Sequence, residues 1–426
     1  MIISPTVDHS NLSEQWNAIV IGAGPSGAIA AAQLALQHKK VLLIDKMHFP
    51  RAKVCGCCVN KAAADALLKA GLYSILKDSN ANPIREIEYC EGHKRVLLPL
   101  SGGAILSRDY FDTELVKSAI ERGADFLPGH SAKVLSLHAG NASVRVQLGD
   151  SIQELQAKIV IVADGLSGHT LDNLAHFSCD VERGSRFGAG ALLLPPTFDP
   201  AHVSGLNDQT QGCDAFDYYK AGRIYMSCSE YGYVGVALLE DGRIDVAAAL
   251  DRDFSRAQNG PAQAAAAILR SADLPIPNGL EAAHWMGTDS LTRRRRNIAG
   301  TRLFVVGDAA GYAEPFTGEG IAWALWSGLA ASSIAARAVI KWNDHMVQEW
   351  EAVHADLIRR RHKRSKLISK ALRSETVRKI TVGILASIPS LANPILSSVS
   401  VDEAICSDYE RVTESSIRQG DRKSIE

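Results

Sequence analysis

The amino-acid sequence predicts an α/β fold with a Rossmann-like lobe, a second lobe built on an antiparallel sheet, and a helical C-terminal region. Three observations support this prediction. The stretch NAIVIGAGPSGAIAAAQLALQHKKVLLIDK (17–46) has the pattern strand, glycine turn, helix, strand. The stretch 222–250 contains short strands separated by turns at Tyr231-Gly232 and Asp241-Gly242. From Gly320 onward the pattern is helical.

The first of these stretches predicts a βαβ unit. Its apolar strands are expected at 18–21 and 41–44, with an alanine-rich helix at 28–37 between them. Two strands joined in this way lie parallel, and helices cover the faces of the sheet.

The turn inside this unit, Gly22-Ala23-Gly24-Pro25-Ser26-Gly27, has the context of a dinucleotide-binding fingerprint. Gly22 permits the tight turn, Gly24 lets the backbone approach a pyrophosphate, and Gly27 lets helix and strand pack closely. Asp45 ends the second strand, followed by Lys46, where a carboxylate can bind a ribose hydroxyl. Phosphates are expected at the N-terminus of the helix.

Two later stretches are expected to be strands of the same sheet: AKIVIVADG (157–165) and TRLFVVGDAAG (301–311). Each contains an acidic residue beside glycine, namely Asp164 and Asp308. Open parallel sheets bind ligands at the carboxyl ends of their strands.

Composition excludes some classes of function. The 46 Lys and Arg residues nearly balance the 47 Asp and Glu residues of this 426-residue chain, which argues against a nucleic-acid partner. The N-terminus lacks a basic start followed by an apolar stretch, so no secretory signal is predicted. We therefore expect a cytoplasmic protein whose eight cysteines are mostly reduced thiols.

The C-terminal region combines a basic and an uncharged segment. Ten Lys and Arg residues and a single Glu375 lie within 359–379. The uncharged segment 381–401 is interrupted by Pro389 and Pro394, so a transmembrane helix is not predicted. We favour a solvated helix followed by packed helices; the alternatives are contact with a membrane surface or docking of a protein.

The stretch GDAAGYAEPFTGEGIAWALWSG (307–328) resembles the second flavin-binding motif of FAD-dependent aromatic hydroxylases, geranylgeranyl reductases and flavin halogenases. This resemblance implies a glutathione-reductase-type FAD-binding domain. VADGLSGHT (162–170) and LSRDYFDTEL (106–115) resemble two further motifs of the superfamily. FAD is therefore the expected cofactor, and NAD(P)H is the expected reductant, with no domain of its own. The implied cofactor-binding residues are Gly22, Gly24, Pro25, Ser26, Gly27, Asp45, Lys46, Arg108, Asp164, Gly165, Gly307, Asp308, Pro315, Gly318 and Gly320.

Within this set the resemblance implies particular roles. Asp308 is expected to bind the FAD ribitol, and Pro315, Gly318 and Gly320 to lie along the isoalloxazine. The predicted FAD-binding domain is discontinuous (14–80, 101–178 and 290–335). It is interrupted by an antiparallel-sheet substrate domain (81–100 and 179–289) and followed by the helical region 336–426.

The stretch KVCGCCVN (53–60) places Cys55, Cys57 and Cys58 around one glycine. Zinc would need a fourth ligand, and no second cysteine or histidine pair has suitable spacing. A bridge between adjacent cysteines would need a strained ring and an oxidising setting. A reactive thiolate is an alternative, because Lys53 and helix dipoles can lower the pKa of a thiol. We favour neutral thiols that line the flavin pocket, and no catalytic acid or base is assigned.

The turn CGCCVN is similar to that of the flavoproteins that mature tryptophylquinone enzymes, such as quinohemoprotein amine dehydrogenase. This resemblance implies a monooxygenase that uses NAD(P)H and O₂ to hydroxylate a peptidyl tryptophan of a partner protein. Geranylgeranyl reductases instead carry a glycine-rich turn here, and the halogenase motif Trp-x-Trp-x-x-Pro is missing from the sequence. The alternatives left open are an ene reductase of prenyl chains, a small-molecule aromatic hydroxylase, and a non-catalytic flavin-bearing partner protein.

Three other features have simpler expected roles. The four arginines 293–296 are expected in a solvated turn, with a positive rim for NAD(P)H phosphates or an acidic partner as the alternative. His48 and His284 are expected to be structural residues.

Overall fold

The computed structural model of the protein describes residues 2–100, 102–195, 215–314, 316 and 318–387. The strands are numbered in chain order: β1 (Gln15–Ile21), β2 (Val41–Asp45), β3 (Cys58–Asn60), β4 (Asn82–Pro83), β5 (Glu86–Glu91), β6 (Lys94–Pro99), β7 (Gly103–Ile105), β8 (Asp125–Pro128), β9 (Ser131–Leu137), β10 (Ala142–Leu148), β11 (Ser151–Val162), β12 (Cys179–Val181), β13 (Phe187–Leu193), β14 (Arg223–Ser229), β15 (Gly232–Leu238), β16 (Ile244–Leu250), β17 (Met286–Ser290), β18 (Arg293–Arg295), β19 (Ala299–Gly300), β20 (Leu303–Val305) and β21 (Gly311–Tyr312).

The helices are numbered in the same way: α1 (Pro25–Leu36), α2 (Lys61–Lys69), α3 (Ser74–Lys77), α4 (Arg108–Glu121), α5 (Ala215–Tyr218), α6 (Arg252–Ala257), α7 (Pro261–Ser271), α8 (Gly320–Ile340), α9 (His345–His354), α10 (Arg360–Ala371) and α11 (Glu375–Ser387). A π-helical turn, Ala355–Arg359, joins α9 to α10.

The first sheet has the order β19-β20-β11-β1-β2-β8, with β20, β11, β1, β2 and β8 parallel to one another. Its strands are apolar and buried on both faces, as expected for a parallel sheet covered by helices. The predicted βαβ unit and the two later strands are confirmed. The helix begins at Pro25 rather than at residue 28, because proline suits the first turn of a helix.

The second sheet has the order β17-β13-β16-β15-β14-β5-β6 and is antiparallel except between β14 and β5. The predicted hairpins are confirmed: β14 pairs with β15, and β15 with β16. One face of this sheet packs on α7 through Ile244, Val246 and Leu250. The other face is turned toward the first sheet.

The prediction of a solvated turn at the four arginines is wrong for two of them. Arg293–Arg295 forms β18, which lies between β12 and β21. Arg295 donates hydrogen bonds to the carbonyls of Ala309 and Phe177, and Arg293 donates one to the carbonyl of Leu166. These partly buried guanidinium groups bind backbone carbonyls of three separate segments instead of facing water.

The C-terminal region is helical as predicted through Ser387, and the remainder of the uncharged segment lies outside the described residues. Only α8, among the described helices, is long and apolar enough to cross a membrane, and 78% of its most apolar stretch is buried inside the fold. It is a core helix that packs on α1 and α2. The predicted domain boundaries stay a prediction.

Candidate active site

The glycine turn between β1 and α1 is built so that only glycine fits at two positions. Gly22 has φ +102°, and a Cβ there would lie 2.2 Å from the carbonyl oxygen of Ala163. A Cβ on Gly27 would lie 1.8 Å from the carbonyl oxygen of Gly22. Gly24, Pro25 and Ser26 face a cavity beside the N-terminus of α1. The turn therefore leaves backbone exposed where a helix N-terminus can bind phosphate.

The end of β2 is fastened to this turn. Asp45 is buried, and its carboxylate accepts hydrogen bonds from the backbone N–H groups of Ala23 (2.7 Å) and Met47 (2.9 Å). Asp45, which is predicted to bind a ribose, is thus held in place by the backbone of the glycine turn. Lys46, in contrast, is exposed and does not line the cavity.

Asp164 and Gly165 follow β11, directly beside the glycine turn. Thr170 N–H donates to Oδ2 of Asp164 (3.1 Å), whereas Oδ1 is buried without a hydrogen-bond partner among the described residues. Burial raises the pKa of this carboxyl. A Cβ on Gly168 would lie 1.9 Å from Cγ of Asp164, so glycine there leaves room for the carboxyl. Gly165 lines the cavity, whereas Asp164 does not.

The residues of the second flavin motif lie on the other side of the cavity. Asp308 lines it, with its carboxylate 3.9 Å from Nζ of Lys53. Gly307 has φ +60° and donates its N–H to the Ser327 hydroxyl (3.0 Å). Gly318 and Gly320 line the cavity at the start of α8. Pro315 lies outside the described residues.

A group of cations surrounds this end of the cavity. Arg108 is buried and makes a two-point contact with Asp112 (2.9 and 2.8 Å), and Arg51 lies 3.3 Å from the same carboxylate. Burial lowers the pKa of Lys53, while the neighbouring Asp308 opposes that effect. Three cations and two carboxylates leave a positive excess, which favours an anionic ligand.

The three cysteines form the wall between these parts. Cys58 lies against Gly318, whose Cβ would be 3.4 Å from Sγ. Cys57 is buried and has φ +50°. Burial raises the pKa of the Cys57 thiol, and that of Cys58 to about 12, opposite to the direction that a reactive thiolate requires. All three are free thiols; Cys55 and Cys58 line the cavity as predicted, whereas Cys57 does not.

The cavity has a volume of about 670 Å³ and lies between the two sheets and the C-terminal helices. Small residues make its floor on the second sheet: Gly188, Gly235, Ala237, Ala247 and Ala249. Tyr89, Tyr233 and Phe316 form an aromatic end, with edge-on ring contacts of Phe316 to both tyrosines. Apolar residues of α10 and α11 close the remaining side: Leu367, Ile368, Leu372, Val377 and Leu385.

One functional candidate was missed by the sequence analysis. Asp245, on β16, lines the cavity with a buried carboxyl whose pKa is raised by burial to about 8. Its position in an alternating strand is also typical of a polar residue that faces solvent. Only the three-dimensional structure shows that this face of the sheet borders the cavity. His48 and His284 are both exposed and do not line the cavity.

Comparisons with known proteins agree with this geometry. A family model described as the FAD binding domain matches residues 15–331. Digeranylgeranylglycerophospholipid reductase of Thermoplasma acidophilum is 25% identical over 427 residues, covering 94% of this chain and 98% of that protein. Menaquinone reductase of Mycobacterium tuberculosis is 27% identical over 340 residues, covering 76% and 77%.

Another relative matches over a smaller part of its length. Conditioned medium factor receptor 1 of Dictyostelium discoideum is 23% identical over 346 residues, which is 73% of this chain and 61% of that protein. Among solved structures, the halogenase PltM in complex with phloroglucinol and FAD aligns with TM-score 0.69 and 16% identity, covering 94% of this chain and 85% of the other. A geranylgeranyl bacteriochlorophyll reductase-like protein from Thermoplasma acidophilum aligns with TM-score 0.66 and 22% identity, covering 94% and 98%. At these identities the structures show a shared fold.

Proposed function

Because this chain belongs to the FAD binding domain family, an oxidoreductase family, we propose that it is an FAD-dependent monooxygenase of an aromatic ring. We propose further that the ring is a tryptophan side chain of a partner protein, hydroxylated during tryptophylquinone biogenesis. NAD(P)H is the proposed reductant and O₂ the proposed source of oxygen.

The residues present fit FAD. The exposed backbone of Gly24 at the start of α1 suits the pyrophosphate, and Gly165 and Asp308 also line the cavity. The excess of positive charge near Arg108 favours the anionic dinucleotide. Bound FAD supplies the redox chemistry. The chain binds the cofactor, orients it toward the second sheet and keeps water from the site.

The observation that carries the proposal is the cavity. Its floor of glycine and alanine leaves room for a flat ring, and its aromatic end offers partners for edge-on or offset contacts.

The wall made by the C-terminal helices supports a substrate that belongs to a protein. Leu367 lines the cavity yet is 71% exposed, and Val377 lines it with 39% exposed. The cavity is therefore bordered on this side by side chains that also meet solvent. A tryptophan carried on a protein loop can reach such a site from outside, with Leu367 and Val377 packing against the loop.

An ene reductase of prenyl chains is the second candidate. It is favoured by the relatives that are named as reductases of prenyl lipids and menaquinone, and by the apolar lining of the cavity. The Cys55-Gly56-Cys57-Cys58 turn, which departs from the glycine-rich turn of geranylgeranyl reductases, favours the monooxygenase. A small-molecule aromatic hydroxylase would use the same cavity without a docked protein.

The test combines the FAD-loaded protein, NADH or NADPH, O₂ and a candidate tryptophan-containing polypeptide, followed by mass spectrometry of the polypeptide. Addition of oxygen to the tryptophan is expected, and a polypeptide with phenylalanine at that position is the matched control. Saturation of a geranylgeranyl lipid under anaerobic conditions, with no oxygen added to any tryptophan, would replace the proposal with the ene reductase. Oxygen transfer to free indoles alone would favour the small-molecule hydroxylase.

A further inference from the structure

β16 places one carboxyl group on the otherwise small and apolar floor of the cavity. Side chains alternate along this strand, so Asp245, Ala247 and Ala249 face the cavity while their neighbours pack on α7. Asp245 is flanked on the adjacent strands by Leu192 and Ala237, whose side chains cannot form hydrogen bonds with its carboxyl. A polar side chain at this position needs a partner from another part of the site.

The carboxyl has one neighbouring thiol and one oxygen without a partner. The Cys57 thiol, from the turn that borders the predicted flavin position, lowers the pKa of Asp245. Oδ2 of Asp245 is buried and has no hydrogen-bond partner among the described residues, and the residue as a whole is 5% exposed. Buried polar atoms of this kind are rare, and a ligand commonly satisfies them.

The charged groups near Asp245 are engaged elsewhere. Arg243 is paired with Asp109 (3.0 Å) and Asp241 (2.6 Å), and Arg108 with Asp112. Both arginines lower the pKa of Asp245 to a smaller extent than burial raises it, and the resulting value is about 8. The thiol of Cys57 is a neutral neighbour in this range, since burial raises its pKa. At neutral pH the carboxyl therefore carries a proton.

We propose that Asp245, as a protonated carboxyl, donates a hydrogen bond from its free oxygen to an oxygen or nitrogen acceptor of the molecule held in the cavity. Cys57 is its positioning residue, because among the neighbouring groups its thiol most favours the charged form of the carboxyl. The acceptor belongs either to the isoalloxazine of FAD or to the substrate. The substrate alternative rests on the proposed function, whereas the flavin alternative does not.

The first experiment uses FAD-loaded protein without any substrate. The visible flavin spectrum is recorded from pH 6 to pH 9, and the infrared band of a protonated carboxyl is followed between oxidised and dithionite-reduced protein. A carboxyl band is expected in the wild-type protein, and where the flavin is the acceptor we expect a spectral transition near pH 8. Asp245→Asn keeps a donor that does not ionise, so both the transition and the band should be lost while FAD stays bound. Asp245→Leu removes the donor and is expected to shift the flavin spectrum at every pH.

The second experiment measures the pH profile of turnover with the substrate identified above. If the acceptor belongs to the substrate, the rate should fall about tenfold per pH unit above pH 8 in the wild-type protein and stay level in Asp245→Asn. A transition confined to the flavin spectrum identifies the flavin as acceptor, and one confined to turnover identifies the substrate.

Cys57 provides the matched pair of variants. Cys57→Ala removes a donor that stabilises the carboxylate, so the transition should move to higher pH, whereas Cys57→Ser keeps a donor and should leave it nearer the wild-type position. The proposal is overturned if wild-type protein and Asp245→Asn have the same pH dependence in both experiments, or if Cys57→Ala leaves the transition unmoved. A protein that shows the flavin transition but hydroxylates nothing would contradict the proposed function alone.

Discussion

Asp245 should make the stability of the protein depend on pH in a way that one substitution reveals. The pKa of its carboxyl is about 8 in the folded protein and 3.8 without burial. Between these values the folded state holds a proton that the unfolded state has lost, so the free energy of unfolding falls as pH rises. The expected slope is about 1.4 kcal/mol per pH unit from pH 4 to pH 8, with none above pH 8.

We therefore expect Asp245→Asn to gain stability relative to the wild-type protein as pH rises from 5 to 8, measured by urea unfolding of the FAD-free protein. Asp180→Asn is the control. Asp180 is exposed, and the hydrogen bonds from Arg296 lower its pKa, so its effect should be constant over this range. A constant difference for Asp245→Asn would show that the carboxyl is not buried as a neutral acid.

Gly27 is a second residue whose substitution has a defined outcome. Gly27→Ala places a Cβ 1.8 Å from the carbonyl oxygen of Gly22. Because this clash involves the backbone, the substitution should destabilise the protein by about 1–3 kcal/mol or more and prevent FAD binding. Gly140→Ala is the control, because nothing lies within 4 Å of its Cβ and its φ is ordinary. Equal stability and FAD content in the two variants would contradict the packing seen at Gly27.

Local sequence predicted some residues of the site and missed others for a physical reason. Gly22, Gly24 and Asp45 belong to one βαβ unit, so their spacing along the chain determines how they are placed relative to one another. The role of Asp245 depends on Cys57, which lies in the turn before β3 and far away in sequence. No period along β16 distinguishes a carboxyl that faces water from one that faces a cavity.

At the scale of elements, α11 is held over the cavity by one buried ion pair. Arg378 makes a two-point contact with Glu91 at the end of β5, with both oxygens 3.0 Å from Nε. The side chains are only 4% and 7% exposed. Val382 and Leu385 of the same helix pack against Val96 and Leu98 of β6.

Arg378→Met should release this helix, because it leaves the Glu91 carboxylate buried without its cation. The expected loss is about 3–5 kcal/mol in the stability of the docked helix, seen as faster hydrogen exchange in 375–387. The double variant Glu91→Met with Arg378→Met should lose less, since no charge remains buried.

An exposed ion pair gives the comparison for this variant. Arg296 and Asp180 are more than 60% exposed, so Arg296→Met should leave the stability of the protein nearly unchanged. Unchanged exchange in 375–387 after Arg378→Met would show that apolar packing alone holds α11.

Elements were predicted well where their stabilising contacts are local. The strands of the parallel sheet are continuous apolar runs, and β14 to β16 have turn residues between them. β18 was missed because its arginines are stabilised by carbonyl oxygens of three separate segments, at Leu166, Phe177 and Ala309. A run of charged residues, considered without its neighbours in space, predicts side chains that are exposed to solvent.

At the scale of the whole molecule, FAD should act as a structural ligand. Its predicted contacts come from α1, β2, β11 and α8, so binding joins segments that are far apart in the chain. A ligand that binds only the folded state stabilises it by about 2.7 kcal/mol at a hundred times its Kd. We expect the Tm of FAD-free protein to rise with added FAD, and to rise less in Asp308→Ala. A Tm independent of FAD concentration would contradict a folded-state site at these residues.

The cavity itself could not be predicted from sequence. It exists because two sheets and α10 with α11 leave a space of about 670 Å³ between them. The sequence pattern of each lining residue reflects the strand or helix to which it belongs, and not the space that these elements enclose. The cofactor motifs indicated only one end of that space.

The contact between α1 and α8 has a consequence for the order of events during synthesis. A Cβ on Gly328 would lie 2.1 Å from the carbonyl oxygen of Ser26, so the two helices touch through their backbones although about 300 residues separate them. A nascent chain that has left the ribosome only as far as β16 already contains the glycine turn and Asp45, but neither Asp308 nor the helix that supports the turn. The chain therefore acquires its complete cofactor site only after α8 has emerged from the exit tunnel.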